Sequence, residues 1–104
     1  MTRMFEALHK GIANEEEWTK KLLPSAKVED GKVVIDATTH QLYATLVYIG
    51  ESGELPSSFS NLRQMMARLL DSRELLESQS WTVNFRSGRD GRGHYLHRFS
   101  RDIA

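Results

Sequence analysis

Residues 81–100 read WTVNFRSGRDGRGHYLHRFS, which is the clearest β-hairpin pattern in the chain. Trp81, Val83 and Phe85 alternate with polar residues, as expected of a strand buried on one face. The segment SGRDGRG then supplies three glycines in seven residues, and the alternation resumes after it. A glycine-rich turn between two alternating runs predicts a C-terminal β-hairpin.

The earlier part of the chain predicts helices and a second, shorter β-element. Asp30-Gly31 lies between two β-prone runs within residues 26–37, so a short hairpin or a single strand is expected there. Asn14, followed three residues later by Glu17, is a capping-box pattern that predicts a helix start. Predicted helices begin near Thr2, at Asn14, at Ser57 or Ser58, and at Ser72 after a break at Asp71.

Two interpretations are open for residues 39–49. Thr38 and Gln41 form a second capping-box pattern, and an apolar stripe at helical spacing follows it. The stripe consists of Leu42, Leu46 and Ile49. The same segment is rich in β-branched and aromatic residues, which favours a strand. We favour the helix, because the stripe extends over three turns and has a cap.

Together these patterns predict one α+β domain over residues 1–104, with three to five helices, a short N-terminal hairpin or strand and a C-terminal β-hairpin. A chain of 104 residues fits one domain. The absence of cysteine excludes disulfides, cysteine-ligated zinc and thiol catalysis. Apolar runs are far shorter than the roughly 18–20 residues that span a bilayer, and the amino terminus has no signal-peptide pattern. We therefore expect a cytoplasmic protein without membrane contacts.

The net charge of zero conceals an uneven distribution along the chain. Residues 1–80 carry a net charge of −3, and residues 81–104 carry +3. All five cations of the C-terminal part are arginines, whose planar donor fork suits phosphates and base edges. This distribution favours an anionic partner for the hairpin.

The tip sequence Ser87-Gly-Arg-Asp-Gly-Arg-Gly93 resembles the charged wing of winged helix-turn-helix repressors, such as the multiple-antibiotic-resistance regulator family. The resemblance covers residues 81–100 and implies a regulatory, dimeric protein that binds duplex DNA rather than RNA. One helix would enter the major groove while the hairpin contacts the flanking backbone. The connection at residues 50–57 is longer than the usual three- or four-residue turn. The candidate contacts are Arg63, Gln64, Arg68, Arg86, Arg89, Arg92 and Arg98, with Arg73 and Gln79 as alternatives if the following short helix is the recognition helix.

A second resemblance indicates an enzyme. Residues 93–100 (GHYLHRFS) are similar to the C-terminal strand of barnase and other microbial ribonucleases. This likeness implies that His94 is a general acid, with Arg86 or Arg89 stabilising the charge on the phosphorus. No glutamate lies on a predicted inner strand to act as base. We therefore favour a protein without catalytic activity and assign no catalytic residue.

A third interpretation is a small protein-protein interaction module, an inhibitor or an adaptor, whose partner is a protein surface. Exposed aromatic residues such as Tyr43, Tyr48 and Tyr95 would supply its interface. An acidic protein surface would fit the arginine hairpin as well as nucleic acid does. The four histidines show no metal-ligand spacing, and no cofactor motif is present, so we predict neither metal nor cofactor.

Overall fold

The computed structural model describes residues 1–51 and 61–104. Those residues form five helices and four strands, which confirms the predicted α+β class with a C-terminal hairpin. The helices are α1 (Thr2–Ala13), α2 (Glu17–Leu22), α3 (Thr39–Glu51), α4 (Leu62–Asp71) and α5 (Arg73–Ser78). The strands are β1 (Lys27–Glu29), β2 (Lys32–Thr38), β3 (Thr82–Arg89) and β4 (Tyr95–Asp102). Among the described residues, no helix is long and apolar enough to cross a membrane.

The four strands form one antiparallel sheet in the order β1-β2-β4-β3. β1 and β2 are joined by Asp30 and Gly31, whose φ angles of 52° and 74° suit a type I′ hairpin turn. The predicted N-terminal hairpin is therefore confirmed. β2 also pairs along its whole length with β4, beginning with Lys32 opposite Asp102. This pairing joins the two hairpins in the centre of the sheet.

One face of the sheet is buried against the helices. Its inward residues, such as Ile35 and Phe99, are fully buried, whereas Arg98 on the opposite face is exposed. Phe5 of α1 lies at the centre of this core, and its ring centroid is 5.4 Å from that of Trp81 and 5.0 Å from that of Phe99. Buried side chains of α1, α3, α4 and α5 join the sheet residues in one cluster. The helices therefore cover one face and leave the other open.

Residues 39–49, which the sequence allowed to be a helix or a strand, lie in the helix α3, as we favoured. The Gln41 N–H donates to Thr38 Oγ1 at 3.2 Å, and the Thr38 N–H donates to Gln41 Oε1 at 3.0 Å. This reciprocal pair satisfies donors that a helix start leaves without an intrahelical partner. Its apolar stripe is buried, at Leu42, Leu46 and Ile49. The capping box therefore carried more information here than the β-prone composition.

The capping box predicted at Asn14 is wrong. Asn14 instead ends α1, and its N–H donates to the carbonyl of Lys10. Glu16 is the N-cap residue of α2, and its carboxylate accepts a hydrogen bond from the Trp18 indole N–H at 3.1 Å. The turn between the two helices includes Glu15 with a φ of 54°, so the backbone reverses where the prediction had a helix start.

The helix predicted from Ser57 or Ser58 is only partly testable, because its start lies outside the described residues. α4 begins after Asn61, whose Oδ1 accepts a hydrogen bond from the Gln64 N–H at 2.8 Å. The break predicted at Asp71 is confirmed, since α5 follows after a single residue.

The helical spacing of the apolar residues predicts one buried face for α4, made of Phe59, Leu62, Met66, Leu69 and Leu70. Phe59 lies outside the described residues, and for the others the prediction is only partly correct. Leu69 is buried as expected, but Met65 is buried in place of Met66, and Leu70 is 52% exposed. α4 packs against α3 and α5. Packing against two neighbours sets which of its adjacent apolar residues turn inward.

Candidate functional site

The C-terminal hairpin contains a bulge that the alternation did not predict. Asn84 pairs with Arg98, and the next aligned pair is Gly88 with Leu96. From the first of these pairs to the second, β3 advances by four residues while β4 advances by two, so β3 carries two extra residues. Arg86, within this stretch, has a φ of 54° in the left-handed region. Such a bulge redirects side chains and bends the strand.

His97 of β4 fixes the bulge from the core side. Its side chain is 3% exposed. The Arg86 N–H donates to His97 Nδ1 at 3.1 Å, and His97 Nε2 lies 3.0 Å from Thr39 Oγ1 at the start of α3. Because Nδ1 accepts, the neutral ring carries its proton on Nε2. Burial, and secondly the Arg86 charge, lower the pKa of His97, which favours this neutral form.

Two arginines of the bulge strand pack on Tyr95. The Arg89 guanidinium carbon is 4.4 Å from the centroid of the Tyr95 ring, and that of Arg86 is 5.1 Å from it. Arg89 Nη2 also donates to the Tyr95 hydroxyl at 2.9 Å. The Tyr95 ring remains 42% exposed. These cation–π contacts hold both charges at the surface in defined positions.

The hairpin tip is ordered by one carboxylate. Asp90 Oδ1 accepts hydrogen bonds from the N–H groups of Arg92, at 2.8 Å, and His94, at 2.9 Å. The His94 N–H is the largest cause that lowers the pKa of Asp90, so this carboxylate stays ionised. Gly93 has a φ of 84°, which suits its place in the turn. The backbone that carries Arg92 is therefore held by side-chain hydrogen bonds.

Arg86, Arg89 and Arg92 share a property that Arg73, Arg98 and Arg101 lack. None of the three has a carboxylate within ion-pair distance in the described part of the chain. Arg101, by contrast, pairs with Glu6 of α1. We call Arg86, Arg89, Arg92 and Tyr95 the hairpin-end cluster. No carboxylate of residues 1–51 or 61–104 forms an ion pair with its arginines.

Arg98, also predicted as a contact, lies away from the tip. Its Nε and Nη2 donate to the two carboxylate oxygens of Asp36, each at 2.8 Å. This bidentate contact with Asp36 raises the pKa of Arg98 and neutralises its charge. Arg98 and Arg89 both line a cavity of about 370 Å³ on the open face of the sheet. Arg98 and Arg89 therefore form part of the wall of the same cavity, although Arg98 does not belong to the hairpin-end cluster.

The predicted helix contacts Arg63, Gln64 and Arg68 lie together on α4. The Arg68 charge acts on the amino group of Met1, whose pKa is lowered first by burial and secondly by Arg68. α4 packs against α3 and α5, while α5 packs against β3. α4, which carries these three residues, is therefore linked to the hairpin through the packing of α5 against β3.

The alternative contacts Arg73 and Gln79 lie on or next to α5, which has only six residues. Arg73 Nη2 donates to the carbonyl of Val83 at 3.2 Å, and its guanidinium lies 5.8 Å from the Phe85 ring centroid. Its Nε is 3.7 Å from Glu77. Arg73 therefore ties α5 to β3, and Gln79 forms the helix end.

His94, the general acid implied by the ribonuclease resemblance, lies exposed at the hairpin tip. The only carboxylate in ion-pair distance among the described residues is Asp90, with its Oδ2 3.4 Å from His94 Nδ1. The lowered pKa of Asp90 makes it a weak base. No group of three metal-ligating side chains occurs in the described ranges.

Comparison with known proteins gives no relative from which a function can be carried over. No protein-family model matches the chain, and neither a curated protein nor a solved structure matches it. The geometry of the hairpin end is therefore what supports a function.

The sequence patterns predicted no functional or structural role for His97. A signal was present, because the alternation places His97 on the same inward face as Phe99. A histidine on a buried face needs hydrogen-bond partners for both ring nitrogens. The partners themselves, Arg86 and Thr39, follow only from the tertiary structure.

Proposed function

We propose that this protein binds nucleic acid through the hairpin-end cluster, with Arg86, Arg89 and Arg92 contacting phosphates. The observation that carries this proposal is the gathering of three arginines at one exposed end of the sheet, where no carboxylate of the described residues pairs with them. Unpaired cations gathered in one patch favour a polyanionic partner.

The arrangement of the cluster suits phosphate contacts in two ways. Arg86 and Arg89 are already held against Tyr95, so binding costs them less side-chain entropy than it costs a flexible lysine. The net charge of −3 over residues 1–80 repels a polyanion from the rest of the surface. Both effects direct an anionic chain to the hairpin end.

The winged-helix resemblance adds a more specific expectation, in which a dimeric regulator binds duplex DNA. The hairpin then acts as the wing, and Arg63, Gln64 and Arg68 of α4 contact the groove. The location of these three residues on an exposed helical surface is compatible with that arrangement. Duplex DNA is therefore one of the ligands to be tested.

A titration with fluorescently labelled oligonucleotides tests the proposal. The Arg89→Ala, Arg92→Ala double variant removes two exposed cations from the hairpin end. A matched control, Lys20→Ala with Lys21→Ala, removes two exposed cations from α2. We expect the first variant to weaken binding at about 50 mM salt at least tenfold and the control to leave it within about twofold, because only the first removes phosphate contacts.

The contrary results are equally clear. Equal weakening in both double variants would mean that net charge, rather than the hairpin end, attracts the ligand. Absence of binding to any oligonucleotide at about 50 mM salt would overturn the proposal. An acidic protein would then be the partner that fits these arginines.

A further inference from the structure

The open face of the sheet carries a hollow beside the hairpin-end cluster. Two rows of paired residues cross the sheet there. The first row is Asp36, Arg98 and Asn84, and the second is Thr38, Leu96 and Gly88. Paired residues of adjacent strands share a face, so these six lie on the same side as the exposed Arg98. The cavity of about 370 Å³ occupies this position.

The hollow exists because the second row ends in a glycine. A Cβ placed on Gly88 would meet no atom within 4 Å, so the space above it is open. The neighbouring Leu96 gives the hollow an apolar side chain, and Ser87 Oγ is turned to the Leu96 carbonyl at 3.3 Å. The recess beside the bulge of β3 is therefore partly apolar.

The rim of the recess offers donors and acceptors in fixed positions. Asp36 holds Arg98 through Nε and Nη2, which leaves its Nη1 available to a ligand. Asn84 contributes an exposed amide that has no hydrogen-bond partner within the described ranges. Arg89 lines the recess and also belongs to the hairpin-end cluster.

An unpaired nucleotide combines the features that this recess accepts. A base has apolar faces and a polar edge, and an amide such as that of Asn84 can read such an edge with paired hydrogen bonds. Single strands bind proteins through splayed bases together with a cationic path for the phosphates. A duplex keeps its bases stacked and paired, so it would first have to unpair and unstack a base, at a free-energy cost that a single strand does not bear.

The geometry points to a subsite for one unpaired nucleotide on the open face of the sheet, with its base over Gly88 and Leu96 and its phosphate at Arg89. This inference rests on the proposed function and deepens it. It favours single-stranded RNA or DNA over the duplex that the winged-helix resemblance implies.

The test is a titration with three labelled oligonucleotides of one sequence at about 50 mM salt, namely single-stranded RNA, single-stranded DNA and the DNA duplex. Gly88→Val fills the recess, and Gly88 lacks the positive φ that would strain a side chain. Gly91→Val is the matched control, since a Cβ there also meets nothing within 4 Å and Gly91 does not line the recess. Circular dichroism melting of both variants checks that the fold is retained.

We expect Gly88→Val to weaken single-strand binding at least about fivefold, the lower end of what one base contact contributes. Gly91→Val should leave it unchanged, and Gly88→Val should leave duplex binding unchanged. The single strand that loses more affinity identifies the ligand as RNA or DNA. Unchanged single-strand binding in Gly88→Val would overturn the subsite and leave the phosphate contacts standing. Failure of the wild-type protein to bind any of the three would remove the proposed function as well.

Discussion

Acidification should destabilise this protein through His97. In the folded protein the ring is buried and neutral, because Nδ1 accepts the Arg86 N–H and protonation would put a donor in its place. Burial of the ring, and secondly the charge of Arg86 in the bulge, oppose its protonation. Arg73, a further cation on this side, lies over Phe85, whose ring packs against that of His97. The folded state therefore resists a proton that the unfolded chain accepts.

The sign and the size of the effect follow from proton linkage. The pKa of His97 is lower in the folded protein than its ordinary value of 6.5. Stability is therefore complete above about pH 6.5 and falls as the pH drops from there to the folded-state pKa. One proton changes the free energy of unfolding by at most about 1.4 kcal/mol per pH unit. The lowered pKa of Asp90 acts in a separate window, below its ordinary value of 3.8.

Urea unfolding followed by tryptophan fluorescence at pH 7.5, 6.5 and 5.5 measures this dependence, since Trp81 is buried. His97→Asn retains an acceptor but does not titrate, so it should flatten the curve between pH 6.5 and 5.5, whatever its stability at pH 7.5. His40→Asn, an exposed position, is the control and should keep the wild-type slope. If His97→Asn keeps that slope too, His97 is not the neutral acceptor of the Arg86 N–H.

Three further substitutions test other parts of the structure. Phe5→Ala should cost about 3–5 kcal/mol in urea unfolding, because Phe5 is fully buried, and a cost below about 1 kcal/mol would contradict its central place in the core. Gly11→Ala should destabilise by about 1–3 kcal/mol despite the better helix propensity of alanine, because its Cβ would lie 2.7 Å from Trp18. A stabilised Gly11→Ala would refute that close contact. Asp36→Asn should leave stability within about 1 kcal/mol and strengthen oligonucleotide binding by releasing the charge of Arg98, and unchanged affinity would count against a role for Arg98.

The elements of the fold were largely predictable because local patterns specify them. The Asp30-Gly31 turn and the capping box at Thr38 each carry a local physical signal that the structure confirms. Asn14 carries the same kind of signal, yet it ends a helix. Capping side chains favour helix ends in general, and the course of the chain after Asn14 decides which end forms.

The pairing of the strands was not predictable in the same way. β2 and β4 form the centre of the sheet, although Asp36 and Arg98 are 62 residues apart in sequence. Alternation shows which residues of a strand face inward but not which strand lies beside it. For that reason the sequence predicts that the charge of Arg98 is available to a ligand, whereas Asp36 neutralises that charge in the structure.

The candidate site was predicted in its residues but not in its shape. The cluster of arginines around a glycine-rich turn identified Arg86, Arg89 and Arg92. The bulge depends on the hydrogen bond between His97 and the Arg86 backbone, which joins two strands across the hairpin. Such a bond leaves no periodic mark in the sequence, so neither the bulge nor the recess beside it could be foreseen.

The salt dependence of oligonucleotide binding tests the central proposal most directly. For a single strand, the logarithm of the binding constant falls with the logarithm of salt concentration with a slope of about −0.7 per phosphate neutralised. Three arginines therefore predict a slope of about −2, and the Arg89→Ala, Arg92→Ala variant should reduce it to about −0.7, while the Lys20→Ala, Lys21→Ala control keeps −2. A wild-type slope near zero, or one that the loss of Arg89 and Arg92 leaves unchanged, would contradict phosphate binding at the hairpin end.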